Sequence, residues 1–269
     1  MVKTLAFFGA LALFLACASA PPGGVEETAP SLAEQWKTGR VLAGSRCGGL
    51  TLIGVSSRLS GPEEEIEAAR LHAARQAAMF HGVRVSARFV NRTGGGVLDF
   101  IAESETEVGP LEADYQRFAG RLAFDPGIDV LRFYGEGIFG RGGTLVRFTY
   151  AAPAAHVGGA GGTDADGRPG WTALRGLPEV EGHAVAVGFS PNRVWLRDAV
   201  TGAINDAAAR LAMGMGSSVS TITVDVRGQA FTYITSEGGG VLSGFRILEF
   251  WIDPADMSVY ALGIAGRPE

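Results

Sequence analysis

The sequence is poor in the residues that most often carry out chemistry. Among its 269 residues are 2 cysteines and 4 histidines, and the formal net charge is -5. A nucleic-acid-binding protein needs a basic face, so this charge argues against nucleic acid as a partner. Beyond the N-terminus, no apolar stretch approaches the roughly 18 residues that a membrane-spanning helix needs. The length fits one large domain or two small ones.

The N-terminus has the pattern of a secretory signal peptide. Lys3 precedes an apolar run from Leu5 to Ala16, too short to cross a hydrocarbon core of ~30 Å as a helix. Two processing sites compete. Ala18-Ser19-Ala20 has the small residues of an ordinary cleavage site, but Pro21 would then follow the cut, which is unfavourable.

The other site, Phe14-Leu15-Ala16-Cys17, resembles the bacterial lipoprotein box, although Phe14 stands where an aliphatic residue is usual. We favour this alternative, which predicts a signal peptide at 1–16 and a lipidated Cys17. The acyl chains on Cys17 would hold the protein on a membrane, because two signals already anchor stably. Ala18-Ser19 lacks the aspartate of inner-membrane retention, so by resemblance to that sorting rule the outer membrane is expected. Cys47 is then a lone thiol, with no intramolecular disulfide.

Two stretches rich in small residues divide the remaining chain. Residues 17–38 show no hydrophobic period, which predicts a flexible tether after the lipidated cysteine. Residues 152–170 are rich in glycine and predict a linker. The folded modules are therefore placed at 39–151 and 171–269.

These two segments resemble each other when the first is shifted by 134 positions. Trp36 matches Trp171 with one residue of slippage, and each copy then has a strand ending in Gly-x-Ser, an Ala-rich helix and a Val-Ser strand. The matched pairs are Gly54 with Gly188, Ser56 with Ser190, Ala73-Ala74 with Ala207-Ala208, Gly82 with Gly216, and Val85-Ser86 with Val219-Ser220. The fixed order predicts two tandem copies of one module.

Each copy is predicted to be α+β: an antiparallel sheet with a long Ala-rich helix on one face, in the order β-α-β-hairpin. Pro62 is expected at the first helical position and Gly82 as a left-handed stop. The predicted apolar stripes are Ile66, Ala69, Ala73, Ala77 and Phe80 in the first helix, and Leu196, Val200, Ala203, Ala207 and Leu211 in the second. A further helix is expected in an insertion at about 103–127.

Each copy is predicted to close with a hairpin. The strands are Val130–Tyr134 with Leu145–Tyr150, and Ile247–Ile252 with Val259–Ile264. The second hairpin turns at Asp253-Pro254-Ala255-Asp256, which has turn residues in favourable positions.

The first hairpin turns through GEGIFG, residues 135–140, which matches the dinucleotide signature Gly-x-Gly-x-x-Gly. That signature needs a helix after it, because the phosphates bind at a helix N-terminus. Thr144 to Phe148 instead has the pattern of a strand. We therefore predict no cofactor.

Candidate catalytic and metal-binding residues are weak. His72 and His81 are nine positions apart, on opposed helix faces, unlike a metal-binding pair. Ser56 and Ser190 each end a strand, but neither lies in Gly-x-Ser-x-Gly, so a role in the strand-to-helix turn is favoured. No catalytic or metal site is predicted, and the protein is not expected to be an enzyme.

The closing hairpins are rich in aromatic residues, half of which should face outward. An exposed aromatic edge suits strand addition to a partner. Core packing is the simpler interpretation. The candidate partner-binding residues are Tyr134, Phe139, Trp251 and Tyr260.

The second copy resembles a known family. Pro169-Gly170-Trp171, the strand ending in Gly188-Phe189-Ser190, the helix from Asp198 to Met213, and the closing strands at 247–253 and 259–262 are similar to the Lpp-twenty-like bacterial lipoproteins. That family includes outer-membrane lipoproteins associated with the flagellar apparatus. The resemblance implies an α+β fold and a cell-envelope location, and it implies no catalytic residues.

The sequence therefore predicts a noncatalytic envelope lipoprotein with a structural or protein-interaction role. It would contact the membrane through Cys17 and a protein partner through its body, in the flagellar apparatus or in outer-membrane assembly. The alternative is a module that binds a small ligand or an envelope glycan between the two repeats.

Overall fold

The computed structural model describes residues 30–46, 49–94, 101–133, 142–152, 162–164, 167–174, 179–226 and 229–266. The fold is α+β with antiparallel sheets. Within these residues, no helix has the length and apolar character needed to cross a membrane. The predictions for the signal peptide, Cys17 and Cys47 concern residues outside those described.

The helices are α1 (Leu32–Lys37), α2 (Pro62–His81), α3 (Gln116–Ala119) and α4 (Leu196–Gly216), with a 3-10 turn at Gly170–Ala173. The strands of the first half are β1 (Arg40–Leu42), β2 (Gly44–Arg46), β3 (Gly49–Ser57), β4 (Val83–Gly94), β5 (Ile101–Pro110), β6 (Leu122–Ala123), β7 (Val130–Phe133) and β8 (Gly143–Tyr150). Those of the second half are β9 (Glu179–Val180), β10 (His183–Ser190), β11 (Ser217–Val226), β12 (Gln229–Leu242), β13 (Arg246–Ile252) and β14 (Val259–Gly266).

The strands form three sheets. The N-terminal sheet has the order β2-β3-β8-β6, with β7 also paired to β8. The C-terminal sheet has the order β1-β13-β14-β10-β9, so β1 from the first half lies at its edge. The third, which we call the shared sheet, has the order β11-β12-β4-β5 and joins a hairpin from each half.

The N-terminal sheet is buried on both faces. Leu50 and Leu52 of β3 belong to the apolar cluster beneath α2, whereas Ile53 and Val55 belong to the cluster around α4. Because side chains alternate along a strand, burial on both faces requires a nearly continuous apolar run. The sequence LTLIGV meets that requirement.

Helix α4 lies between the two sheets. It packs on β10 and β14 of the C-terminal sheet and also contacts β3 of the N-terminal sheet. Its predicted stripe is confirmed, since Leu196, Val200, Ala203, Ala207 and Leu211 are all buried. The apolar cluster around α4 therefore contains residues of both halves of the chain, whereas the cluster beneath α2 belongs to the first half alone.

Each long helix packs closely against its sheet at a glycine. A Cβ added to Gly54 would stand 2.1 Å from the carbonyl oxygen of Ala69, and one added to Gly188 would stand 2.0 Å from that of Ala203. These are matched positions in the two halves. The absence of a side chain at each glycine lets the helix backbone rest on the strand.

The first residues of the body are fixed to it by several polar contacts. Ser31 and Glu34 form a capping box at the start of α1, and the Gln35 and Arg147 side chains both donate to the carbonyl oxygen of Pro30. Arg40 donates twice to the buried Glu249 carboxylate, at 2.5 and 3.0 Å. Residues 30–38, which belong to the predicted tether, are thus part of the fold.

Most predicted elements are confirmed, including the two long helices and both closing hairpins. Asp253 and Asp256 accept backbone N–H groups within the predicted turn. Gly82 does end α2, but the prediction of a left-handed conformation is wrong, because its φ of 166° is extended backbone. The chain passes there directly into β4 without reversing.

The insertion at 103–127, predicted to contain a helix, forms a strand in its first part and only a short helix after it. Its first part belongs to β5, which pairs with β4 from Val83↔Pro110 to Arg92↔Ile101. Helical structure is confined to α3, where Phe118 and Ala119 are buried. Glu103, Glu105 and Glu107 recur at every second position, and that two-residue period suits a strand.

We predict that Gly54→Ala and Gly188→Ala each lower the free energy of unfolding by about 1–3 kcal/mol, because the added methyl overpacks the strand–helix contact. Denaturant unfolding measures this loss. Gly120→Ala is the control, since nothing lies within 4 Å of its added Cβ. Equal stability of all three variants would contradict the prediction.

Candidate functional site

The shared sheet is the feature that places the two halves side by side. β4 and β5 form one antiparallel hairpin, β11 and β12 form another, and β12 pairs with β4 from Phe231↔Gly94 to Leu242↔Val83. Among the described residues, no strand pairs with the outer side of β5 or of β11. The sheet therefore ends in two strands whose outward backbone groups can accept a further strand.

Two of the four residues predicted to bind a partner, Tyr134 and Phe139, lie outside the described residues. Trp251 is 3% exposed and Tyr260 is partly buried, and their rings lie 5.3 Å apart. The guanidinium of Arg168 stands 5.1 Å from the centroid of each ring and donates to the Tyr260 hydroxyl at 3.0 Å. This arrangement is a desolvated cation–π contact.

The outer face of the C-terminal sheet is thus covered by the chain itself. Trp171, on the 3-10 turn, is 2% exposed and packs with Leu248, Leu262 and Ile264. Phe189 stacks near Tyr260 and remains 39% exposed. A protein that met this face would contact Phe189 and Tyr260 before Trp251.

A groove of about 660 Å³ lies where the first residues of the body meet the turn of the last hairpin. Its lining comes from α1 and the following residues, from the segment around Gly167, and from both sides of the turn. The lining residues include Trp36, Arg40, Gly167, Trp251, Pro254 and Met257. Trp36 is held in place by stacking on Phe133, with centroids 5.1 Å apart. The groove offers aromatic and cationic groups to a small ligand.

His72 links β3, α2 and α4. Its Nδ1 accepts the Val55 backbone N–H at 3.2 Å, and its Nε2 lies 3.1 Å from the Thr201 hydroxyl. Because Nδ1 is an acceptor, Nε2 carries the proton and donates to Thr201. Burial, together with the positive charges of Arg75 and Arg197, lowers the pKa of His72 to about 3.

The role of His72 is repeated in the second half by another residue type. Phe189, matched to Val55, donates its backbone N–H to the Asp206 carboxylate at 2.8 Å, and Asp206 is matched to His72. In both halves a helix side chain accepts the free N–H of the strand residue that follows the glycine. His72 therefore has a structural role, as the acceptor of this backbone N–H.

His81 contacts neither His72 nor a carboxylate. Its Nε2 lies 2.8 Å from the Tyr150 hydroxyl, and its ring stacks on Phe118 with centroids 5.3 Å apart. Partial burial and the charges of Arg121 and Arg117 lower the pKa of His81. The pair closes the C-terminal end of α2 against the N-terminal sheet.

The side chains of Ser190 and Glu65 are held by local hydrogen bonds. Ser190 Oγ donates to the carbonyl oxygen of Pro191, and Ser56 Oγ has no hydrogen-bond partner among the described residues. The Glu65 carboxylate accepts hydrogen bonds from the Leu59 N–H and the Thr144 hydroxyl, so each of its two oxygens already has a donor. No three His, Cys, Asp or Glu side chains of the described part of the chain are grouped as metal ligands would be.

No family model matches the chain, and no curated protein or solved structure matches it. The resemblance to the Lpp-twenty-like lipoproteins accordingly rests on the residues given for it above.

The shared sheet was not recognisable as a site from the sequence. The strands after each helix were predicted correctly, but the aromatic residues pointed to the closing hairpins as the interaction surface. Part of the shared sheet could have been predicted, because β4 and β11 stand at matched positions and each begins a hairpin. The pairing of β12 with β4 could not be predicted from the sequence, because nothing local to either hairpin specifies its partner.

We predict that stability falls as the pH is lowered from 7 to 5, because His72 has a folded-state pKa far below its unfolded value of about 6.5. The unfolded chain then binds more protons, so this group's contribution is complete above about pH 6.5 and declines below it. The expected loss over this interval is about 2 kcal/mol.

Urea unfolding at several pH values tests this dependence in His72→Gln, which cannot titrate. Its stability should change less between pH 7 and 5 than that of the unaltered protein. His183→Gln is the control, because His183 lies at the start of β10 and bonds the carbonyl oxygen of Glu181. Parallel curves for all three proteins would refute the assignment.

Proposed function

We propose that this protein is a noncatalytic cell-envelope lipoprotein, built of two tandem α+β modules, with a structural or protein-interaction role. The observation that carries the proposal is the shared sheet, whose two outer strands present backbone hydrogen-bonding groups at its opposite edges. Within this proposal the Lpp-twenty-like resemblance favours the outer membrane, in the flagellar apparatus or in outer-membrane assembly. The protein acts by binding, and its site residues need no catalytic chemistry.

Matched contacts in the two halves support the tandem modules. The Gly54–Ala69 contact has its counterpart in Gly188–Ala203. The N–H of the residue after each glycine is accepted by the helix side chain at the matched position, His72 or Asp206. Each half also begins with a tryptophan on a short helical turn, on the sheet face opposite its long helix. Duplication of one module explains these correspondences together.

An edge strand is a template for adding another strand, with affinity supplied by main-chain hydrogen bonds. Proteins that do not use an edge usually cover it or twist it away. β5 and β11 flank a four-stranded sheet in which neither is covered by another described strand. The backbone of these strands supports an interaction role more directly than the hairpin aromatics, of which Trp251 is engaged by Arg168.

Lipidation at Cys17 is the proposed anchor, and we predict that it disappears in Cys17→Ser. Cells grown with a labelled fatty acid should yield labelled protein from the unaltered gene and unlabelled, uncleaved protein from the variant. Cys47→Ser is the matched control and should retain the label, because Cys47 does not lie in a lipoprotein box. Equal labelling of all three would refute the anchor, and so would label in none.

The groove between Trp36 and Trp251 favours a second candidate function, the binding of an envelope glycan or another small ligand. Aromatic faces and cationic side chains are typical of such sites. We predict that a soluble peptidoglycan disaccharide changes the tryptophan fluorescence of the protein, and that Trp36→Ala weakens this response at least tenfold, which is about 1.4 kcal/mol. Trp195→Phe, at the start of α4 and outside the groove, should leave it intact. An unchanged spectrum at saturating disaccharide would remove this candidate for that ligand.

A further inference from the structure

We propose that the partner of the shared sheet is a second copy of this chain, with β5 of one molecule paired to β11 of the next. This inference rests on the interaction role proposed above and names the partner of the same site. It follows from the way in which the two halves of one molecule already meet. The outer edge of β5 in each copy pairs with β11 of a neighbouring copy, and the outer edge of β11 pairs with β5 of a neighbouring copy.

The internal contact joins unlike strands of the two hairpins. β12, the second strand of its hairpin, pairs with β4, the first strand of the other hairpin. The matched pair would join β5, the second strand of the first hairpin, to β11, the first strand of the second. Within one chain these two strands lie at opposite edges of the sheet, so the pair can form only between molecules. A contact between unlike surfaces repeats from one copy to the next.

The internal register fixes the expected intermolecular register. Val83 pairs with Pro110 in the first hairpin, and Ser217, matched to Val83, pairs with Gly238 in the second. Gly238 therefore corresponds to Pro110. Since Gly238 pairs with Ala87 in the internal contact, Pro110 should pair with Thr221, the residue matched to Ala87.

Continuing along both strands, the expected pairs extend from Pro110↔Thr221 to Glu105↔Val226. This register places no like charges directly opposite one another, a juxtaposition that would be destabilising. Glu107 stands opposite Val224, and Asp225 stands opposite Thr106. The two acidic residues of β5 in this range therefore meet apolar positions of β11.

The backbone groups of β5 point outward where this pairing needs them. Leu111, just beyond β5, donates its N–H to the Gly82 carbonyl oxygen, toward the β4 side. Because hydrogen bonding alternates along an antiparallel strand, odd-numbered residues of β5 face β4, and even-numbered residues face the free edge. Thr106 can donate and accept there. Val108 can donate, but its carbonyl oxygen already accepts from the Arg75 side chain at 2.7 Å. Pro110, at the end of the strand, can accept but not donate.

Cysteine pairing tests the register in the full-length protein with Cys47→Ser. Cys17 does not interfere, because its thiol is lipidated in one processing of the signal peptide and is removed with the peptide in the other. Glu107→Cys and Val224→Cys, carried by separate copies made in the same cell, should give a disulfide-linked dimer on mild oxidation. The yield should be at least about tenfold above that of Thr106→Cys with Val224→Cys, because a slip of one residue places the two side chains on opposite faces.

The same comparison contains the overturning result. Equal yields from the two cysteine pairs, or no dimer from either, would overturn the inference. Each single variant expressed alone should give little dimer, since β5 meets β11 and not another β5. Thr223→Pro in β11 should abolish the dimer of the matched pair, because it removes an outward N–H, whereas Thr223→Ala should keep it.

A photocrosslinking residue at Glu107 separates this inference from the proposed function. Illumination of cells should yield a product that contains the chain twice, identified by mass spectrometry. A product with a different envelope protein would overturn self-pairing while leaving the interaction role intact. Absence of any product, at this position and at Val224, would overturn both.

Discussion

The fold depends on how closely α4 approaches two sheets at once. On one side the backbone of α4 packs directly against β10, because Gly188 has no side chain to hold the two apart. On the other side it contacts β3, so Ile53 and Val55 face the same apolar cluster as Ala203. Alanine is the residue that permits this arrangement, since a larger side chain on either side would separate the layers. The two halves thus fold as one unit, with a helix of the second half completing the core of the first.

The shared sheet extends the same dependence to the backbone. β4 leaves the end of α2, β11 leaves the end of α4, and β12 bridges the two hairpins. A change in the position of α4 would therefore strain the pairing of β12 with β4. Packing of side chains and pairing of strands are coupled here, because both link the same two halves. Because of this coupling, the two halves have one defined position relative to each other.

Local patterns sufficed to predict the elements that rely on local chemistry. Pro62 begins α2, the buried alanines give it one apolar face, and the aspartates around Pro254 form the predicted turn. The short apolar strands and the hairpin partners followed from period and spacing in the same way. The comparison of the chain with itself also placed Gly54 and Gly188 at equivalent positions, where the structure shows equivalent contacts.

Features that depend on contacts across the chain were not predictable in this way. β1 joins the sheet of the second half through Arg40 and Glu249, two residues whose separation in sequence hides their pairing. Trp251 was a candidate partner-binding residue because alternation puts half of a hairpin's aromatics outward, although core packing was the simpler interpretation. Arg168, from a segment predicted to be a linker, covers it instead. His72 shows the reverse case: its role could have been inferred, because the shift that matches the two halves places it on Asp206, an obvious acceptor.

The attachment of Pro30 has a consequence for orientation. The carbonyl oxygen of Pro30 receives the side chains of Gln35 and Arg147, and Leu32 donates its N–H to Ile128 beside it. The polypeptide therefore enters the body at a fixed point, next to β7 and β8, and not through a loose end. For a chain held at Cys17, few residues separate that entry point from the lipid. With the proposed lipid on Cys17, the pull of the anchor would reach the body at this point, beside β7 and β8.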